Sequence, residues 1–554
     1  MSEEKKSTVF GIDLGTTYSC ISYLDETGRP VVCPSMEGDN TVPSVVRMLP
    51  EEESPVAGKT AKDMAMFYPD NTIQFVKSKI GHVEKLEYGP PENRLTTTPV
   101  DVSAEILKKL AHDAQAMTNT EVRDVVITVP AYFGNNEKAA TKQAGIQAGL
   151  NVVDIVEEPT AAAFFYGCQN SENNEVICIF DLGGGTFDVT AMRLGDGSLT
   201  VLTTDGDHDL GGRRWDEELI GLVEEKFREQ TGYAEAFDAE VLQDIQIKCE
   251  AAKKTLSNTT STQIALAVDR RTRAAVTVTR DEFNARTSYL LATAIDLTRK
   301  VFDRMKEKGI SIDKILLVGG STWMPQVREA IQQEFGMDPL INEPDQSVSK
   351  GACIYCAWRF LHQTTTESSN GSDVSTSEGS PDPGQDQLLS KTEMEDGRTE
   401  ILLQDDKGET RKLDIFLPTK IKNTVLVTVA TKSFGIRTLH NKKVVITNLI
   451  LKDTPLPYSV TRTFGTSEPD MRNVSIELFQ SELYDEMYEL EEGINIGDSV
   501  LTGLPSGLPE GAPIDITITL DANGLIEITG THGGAPLHGE LKMTFSEGTA
   551  ERET

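Results

Sequence analysis

Two short segments carry the residue types that grip a polyphosphate. One is Phe10-Gly11-Ile12-Asp13-Leu14-Gly15-Thr16-Thr17-Tyr18. The other is Ile179-Phe180-Asp181-Leu182-Gly183-Gly184-Gly185-Thr186-Phe187-Asp188. Each reads as an apolar strand, an aspartate near its end, and a Gly/Thr hairpin into a second strand. Glycines let the backbone approach a phosphate closely, and successive N–H groups in such a turn form an anion-binding concavity. The threonine hydroxyls add donors. An aspartate at a strand end can hold Mg²⁺ through the ion's retained waters. A plain glycine hairpin would account for either segment alone. Two copies, each behind an apolar strand, argue for two turns gripping phosphates from opposite sides. Other phosphate motifs are missing: Gly58-Lys59-Thr60 lacks the upstream glycine of a P-loop, and no strand-linked G-x-G-x-x-G is evident.

The elements that must hold these turns form an α/β pattern. Residues 10–14, 125–130, 176–182 and 314–318 read as buried strands, and 104–117, 215–230 and 239–256 as helices. The first domain is expected over residues 1–363. Residues 364–399 are rich in Ser, Thr, Gly, Asp and Glu, the composition of an acidic disordered linker. Beyond it, period-two alternation at 412–417, 425–429, 444–449, 474–479, 514–520 and 525–529 predicts an all-β sandwich over 400–546 and a tail over 547–554. Asp521-Ala522-Asn523-Gly524 reads as a hairpin turn between two of those strands.

The 554 residues imply two to four folding units. A formal charge of −34 repels nucleic-acid phosphates and favours solubility. No stretch reads as a membrane span or a signal peptide, so neither membrane nor nucleic-acid partners are expected. Seven scattered cysteines fit a reducing compartment, and a cytoplasmic location is expected. Cys353 and Cys356 form a C-x-x-C inside a helical pattern, which reads as a buried helix face rather than a zinc or redox site.

The sequence resembles the DnaK-type (seventy-kilodalton) heat-shock chaperones, members of the actin/sugar-kinase ATPase superfamily. The resemblance rests on the first turn through Ser19, on Val129-Pro130-Ala131-Tyr132-Phe133, on Glu158-Pro159-Thr160-Ala161-Ala162-Ala163, on the second turn, and on Leu317-Val318-Gly319-Gly320-Ser321-Thr322. Ser433-Phe434-Gly435-Ile436 and Thr463-Phe464 extend it more weakly into the β region. It implies a two-lobed actin-like ATPase domain of duplicated ribonuclease-H-like folds, followed by a peptide-binding β-sandwich. ATP and Mg²⁺ are the implied ligands.

The resemblance also implies roles. Asp13 and Asp181 hold the magnesium shell. Gly15, Thr16, Thr17 and Tyr18 face Gly183, Gly184, Gly185 and Thr186 across the phosphates, with Asp188 beyond. Lys77 matches the family's catalytic lysine, and Glu158 orients water or magnesium; hydrolysis of this kind depends on positioning and charge stabilisation. Glu250, Lys253 and Ser257, spaced i, i+3 and i+7 on one helix face, bind the nucleoside. Gly212, Gly319, Gly320, Ser321 and Asp345 complete the pocket. Trp323 stands where the family usually has arginine, and reads equally as an adenine-stacking ring or an apolar surface plug. Ile436, Leu439, Phe464, Val474 and Ile476 map onto the peptide cleft, with core packing as the rival reading for each. Pro130 and Lys138 map onto the interdomain switch, with lysine replacing the usual arginine.

Four departures qualify the resemblance. No helical lid follows the sandwich. The nearest counterpart of the apolar interdomain linker is Val425-Leu426-Val427-Thr428-Val429-Ala430, behind the acidic insertion. Asp154 and Glu157 replace Arg and Asn on the surface that meets J-domain proteins, adding like-charge repulsion. Arg213 and Arg214 replace acidic residues on the lobe that meets nucleotide-exchange factors. Two readings follow: a peptide-binding chaperone that hydrolyses ATP slowly, and a non-cycling ATP-binding co-chaperone or assembly partner. A small-molecule kinase of the same superfamily lacks any evident sugar-binding insertion here.

Overall fold

The computed structural model describes residues 8–543 apart from 53, 83, 170–173, 364–385, 406–407, 442, 522–523, 525 and 540. The proposed tail, most of the acidic stretch and the centre of the 521–524 turn therefore lie outside the described residues.

Two sheets of the same wiring form the first domain. In lobe I, strand Val9–Asp13 pairs antiparallel with Tyr18–Leu24 and parallel with Asp124–Val129, which pairs with Asn151–Glu157. In lobe II, Glu175–Leu182 pairs antiparallel with Phe187–Gly195 and parallel with Lys314–Val318. The repeat noted in the sequence is therefore a repeat of topology. Both central strands are buried along their length, as strands covered on both faces must be. Helices Pro99–Thr118, Glu158–Gln169, Gly212–Thr231, Ala239–Asn258, Arg280–Glu307 and Ser347–His362 cover the sheets. Thr98 and Thr279 start two of them with reciprocal capping boxes to Asp101 and Glu282.

The chain after the ATPase-type lobes departs from the expected boundaries. Gln387–Glu393, Thr399–Gln404 and Thr410–Ile415 form a three-stranded antiparallel meander. Its inward residues Leu388, Ile401, Leu403, Leu413 and Ile415 share a core with Leu24, Phe164 and Trp358 of the first domain. Strand Val425–Val427 then joins the lobe II sheet, parallel to Ser198–Asp207. The predicted strands at 412–417 and 425–429 thus exist but belong to other sheets than the sandwich. Period-two alternation reports a half-buried strand and is silent on which body buries it.

The sandwich itself starts at Ser433. One sheet runs in the order Met487–Tyr488, Lys443–Ile450, Ser433–His440, Asn473–Ser481, Ile494–Thr502 and Leu541–Met543. The other runs Tyr458–Gly465, Pro513–Leu520, Ile526–His532 and Ala535–Leu537. Ile450, Leu478, Leu501, Ile516, Ile518 and Ile528 fill the space between them. The sandwich meets the first domain through Arg304, which reaches the Tyr484 hydroxyl at 3.2 Å, and Lys308, which reaches Asp453 at 3.3 Å.

Candidate functional site: a carboxylate-lined cleft between two lobes

The strand register decides what faces the cleft. Asp13 lies opposite Cys20 in its hairpin and beside Thr128 of the parallel neighbour, whose hydroxyl donates to Asp13 Oδ1 at 3.5 Å. Asp181 occupies the equivalent place in lobe II, but opposite it stands Asp188. Directly opposed residues on an antiparallel pair share a face, so lobe II contributes two carboxylates where lobe I contributes one.

Lys77 enters from the short 3-10 turn Val76–Lys79, which follows a left-handed Phe75 (φ 58°). Its ammonium forms a buried ion pair with Glu158, the first residue of helix Glu158–Gln169. Burial works against the Lys77 charge, yet the carboxylates of Glu158, Asp13 and Asp181 hold it above the ordinary lysine range. Burial and then the nearby Glu158 lift the Asp13 carboxyl to about 7, with Asp345 adding a smaller push. Burial pushes Asp181 and Asp188 well above the usual carboxylate range, again with Glu158 the leading neighbour. Both Asp188 oxygens are buried, as are the Tyr132 and Thr160 hydroxyls, and the Ala131 backbone only partly offsets the upward push on Asp188. One lysine thus faces four acidic side chains, a combination that calls for added positive charge. Among the described residues no group of three or more His, Cys, Asp or Glu could hold a metal ion alone. This donor set fits a hydrated magnesium ion shared with phosphate oxygens, rather than a protein-only cage.

The two glycine turns touch each other. A methyl group at Gly185 would lie 2.6 Å from the Thr16 side chain, and one at Gly184 2.8 Å from Thr17 Cγ2. Only glycine admits this approach. Gly15 N–H donates to Ser19 Oγ at 3.1 Å, which shapes the first turn. The second is braced by Gly212 N–H and Ser321 Oγ, which donate to the Gly183 carbonyl at 2.9 and 2.8 Å. Gly319 adopts φ +84°, and a Cβ there would meet Asp181 Oδ1 at 2.6 Å, whereas Gly320 borders open space.

Helix Ala239–Asn258 delivers its three predicted residues differently. Glu250 reaches across the cleft, accepting from the Tyr18 hydroxyl at 2.6 Å and pairing with Lys62. Although burial acts the other way, Lys62 and then Lys254 hold the Glu250 carboxyl down at about 2. Lys253 donates to the Gly212 carbonyl at 2.8 Å and to Asp216 at 2.7 Å. Ser257 Oγ bonds back to the Lys253 carbonyl at 3.3 Å. Trp323 is 52% exposed at the surface, a position that suits both readings of its ring.

Sequence reasoning missed the cross-cleft partners. Lys62 and Lys254 both donate to the Tyr18 hydroxyl at 2.8 Å, and the Arg213 guanidinium sits 5.0 Å from the centre of the Phe75 ring. The first signal was available in Tyr18 itself, a phenol in a turn of small residues. Nothing in the sequence connects Phe75 to Arg213.

A family model described as Hsp70 protein matches residues 9–367 and 407–554. The chain belongs to the Hsp70 protein family. Hsp70 members are ATPases that bind ATP with magnesium, and the family acts in ATP-dependent chaperoning. Its two actin-like lobes and β-sandwich account for the two domains seen here. The unmatched stretch between the two matched segments, 368–406, includes the first two strands of the meander.

The residues expected at partner surfaces make contacts within the chain. Asp154 accepts from the Tyr355 hydroxyl and pairs with Arg359, each at 2.9 Å. Glu157 pairs with Lys138 of helix Asn135–Gln147 at 3.1 Å, and Pro130 is buried. In the sandwich, Ile436 and Ile476 belong to the central core, with Phe464 and Val474 partly buried against it. Leu439 does not join them. Three residues beyond Ile436 on a regular strand, it points to the opposite face and is 64% exposed.

Proposed function

We propose that this chain binds Mg-ATP between its lobes and hydrolyses it slowly. The observation that carries this reading is the buried Lys77–Glu158 ion pair set among Asp13, Asp181 and Asp188 where the two glycine turns meet. Magnesium held through water by Asp13 and Asp181 would supply charge neutralisation on the phosphates. Thr16, Thr17 and the amides of residues 183–186 would cradle phosphate oxygens. The Lys77 ammonium then faces charge developing on the transferred group, and Glu158, once released from Lys77, accepts a hydrogen bond from attacking water. Glu250, Lys253 and Ser257 take the nucleoside, with Ser321, Asp345 and the exposed Trp323 ring at its rim.

The sandwich is proposed to take an extended apolar segment by strand pairing. The partly buried Phe464 and Val474 support that reading better than the core residues do. J-domain proteins and exchange factors remain proposed partners; the J-facing Asp154 is already satisfied within the chain. A cytoplasmic location is part of the same proposal, supported by seven free cysteines. A non-cycling ATP-binding partner is the second reading, favoured by the docking of Val425–Val427 on lobe II.

Calorimetric titration tests the nucleotide site. ATP should bind with magnesium present and lose at least tenfold in affinity in EDTA, and Asp13→Asn with Asp181→Asn should remove that magnesium dependence. Equal affinity with and without magnesium would contradict the proposal.

A further inference from the structure

We propose that the meander strands of residues 387–404 and 410–415, with residues 421–429, act as a strap that keeps the chain entering the sandwich permanently docked, so the sandwich stays seated whichever nucleotide the cleft holds. The inference rests on the nucleotide reading only for that last clause.

A three-residue strand is a weak dock alone. Val425–Val427 makes a short parallel ladder with Ser198–Thr200, and each ladder hydrogen bond exchanges for one to water when the strand leaves. Such a strand would detach and rebind freely if both ends were loose. Neither end is. On the upstream side Trp358 Nε1 donates to the Thr424 carbonyl at 2.9 Å, and Ile421 and Thr424 are both buried. On the downstream side Val429 is buried and bridges to Pro455 of the sandwich.

Upstream lies the meander, which is fastened to the other lobe. Arg411 reaches the fully buried Asp124 of lobe I at 2.7 Å through Nη2 and Asp386 at 2.6 Å. Arg123 of lobe I binds the same Asp386 at 2.7 Å. Lys391 donates to the Leu361 carbonyl at 2.9 Å, capping the end of helix Ser347–His362. The apolar face of the meander is sealed into the first-domain core. Releasing the linker strand fully therefore requires peeling this sheet from lobe I. That would break the Arg411–Asp124 and Arg411–Asp386 ion pairs and expose large apolar side chains. The meander holds lobe I and the strand holds lobe II, so one continuous segment ties both lobes to the sandwich.

Native-state hydrogen exchange on the full chain tests this, without nucleotide and with Mg-ADP or Mg-ATP. The strap predicts that amides of residues 425–427 exchange within threefold of those in the meander core, in every state. Exchange at 425–427 tenfold or more faster than the meander in any state would overturn it. Arg411→Ala should speed exchange at 425–427 by tenfold or more while leaving the Pro513–Leu520 strand unchanged. If that variant does not fold, the wild-type comparison alone decides. Calorimetry on the same samples keeps the two readings apart: no heat from ATP would defeat the nucleotide cleft, while the nucleotide-free exchange still judges the strap.

Discussion

The cleft between the lobes and the sandwich respond oppositely to the same kind of residue assignment. In the cleft, residues from both lobes and four separate segments converge: Glu158 and Lys77 act in opposite senses on Asp13, Asp181 and Asp188. In the sandwich, the five assigned residues divide among the core, its margin and an outer face. A catalytic cleft needs specific charged groups, and these stand out because burying them is costly without a purpose. A peptide groove needs only apolar surface, which every sandwich owns on its inner faces.

Breaking the cleft should have the largest effect on stability. Lys77→Ala leaves Glu158 buried and unpaired, and should cost about 3–5 kcal/mol in urea denaturation. Adding Glu158→Gln should recover most of that loss; no recovery would mean the pair is not the source.

The sandwich comparison comes next. Ile436→Ala should destabilise by about 2–5 kcal/mol because it hollows the core, whereas Leu439→Ala should fall within about 0.5 kcal/mol of wild type. If Ile436 instead served the groove, its loss would weaken peptide binding with little change in stability.

The buried carboxylates predict an unusual pH response of the nucleotide-free protein. A carboxyl raised in the folded state binds its proton more tightly there than in the unfolded chain. Asp13, lifted to about 7, therefore makes the native state lose stability as pH rises from about 4 to about 7, by about 1.4 kcal/mol per pH unit at most. Asp188 is shifted the same way. Asp188→Asn should raise the nucleotide-free Tm at pH 7.5, with the gain shrinking as pH falls toward 4. A gain that grows on acidification would contradict this assignment.

The smallest effect belongs to the contact between Arg213 and Phe75. A partly exposed cation–ring contact is worth about 0.5–1 kcal/mol. Arg213→Ala should accordingly release a fluorescent ADP analogue about two- to fivefold faster in stopped flow, with Arg213→Lys intermediate.

The two aspartate turns were legible in sequence because each is local: strand, turn and second strand occupy about a dozen residues. The bond from Tyr18 to Glu250 was not, since it spans 232 residues and depends on how the lobes close. The edge strand Tyr458–Gly465 escaped because Arg462 breaks the alternation of Tyr458, Val460 and Phe464 with polar residues, and most of the strand is exposed. The acidic stretch was read too far. Its composition hid strand Gln387–Glu393, whose one buried side chain is Leu388. That strand survives because the neighbouring strand and lobe I supply the apolar surface it lacks.

One measurement bears most directly on the cleft: release of radiolabelled phosphate from ATP under single-turnover conditions, with enzyme in excess. Wild type should release phosphate in one exponential phase, and Lys77→Ala should be at least about 100-fold slower, as expected when a charge-stabilising group is removed. Equal rates for the two proteins, or no release above the uncatalysed background from wild type, would contradict hydrolysis at this cleft.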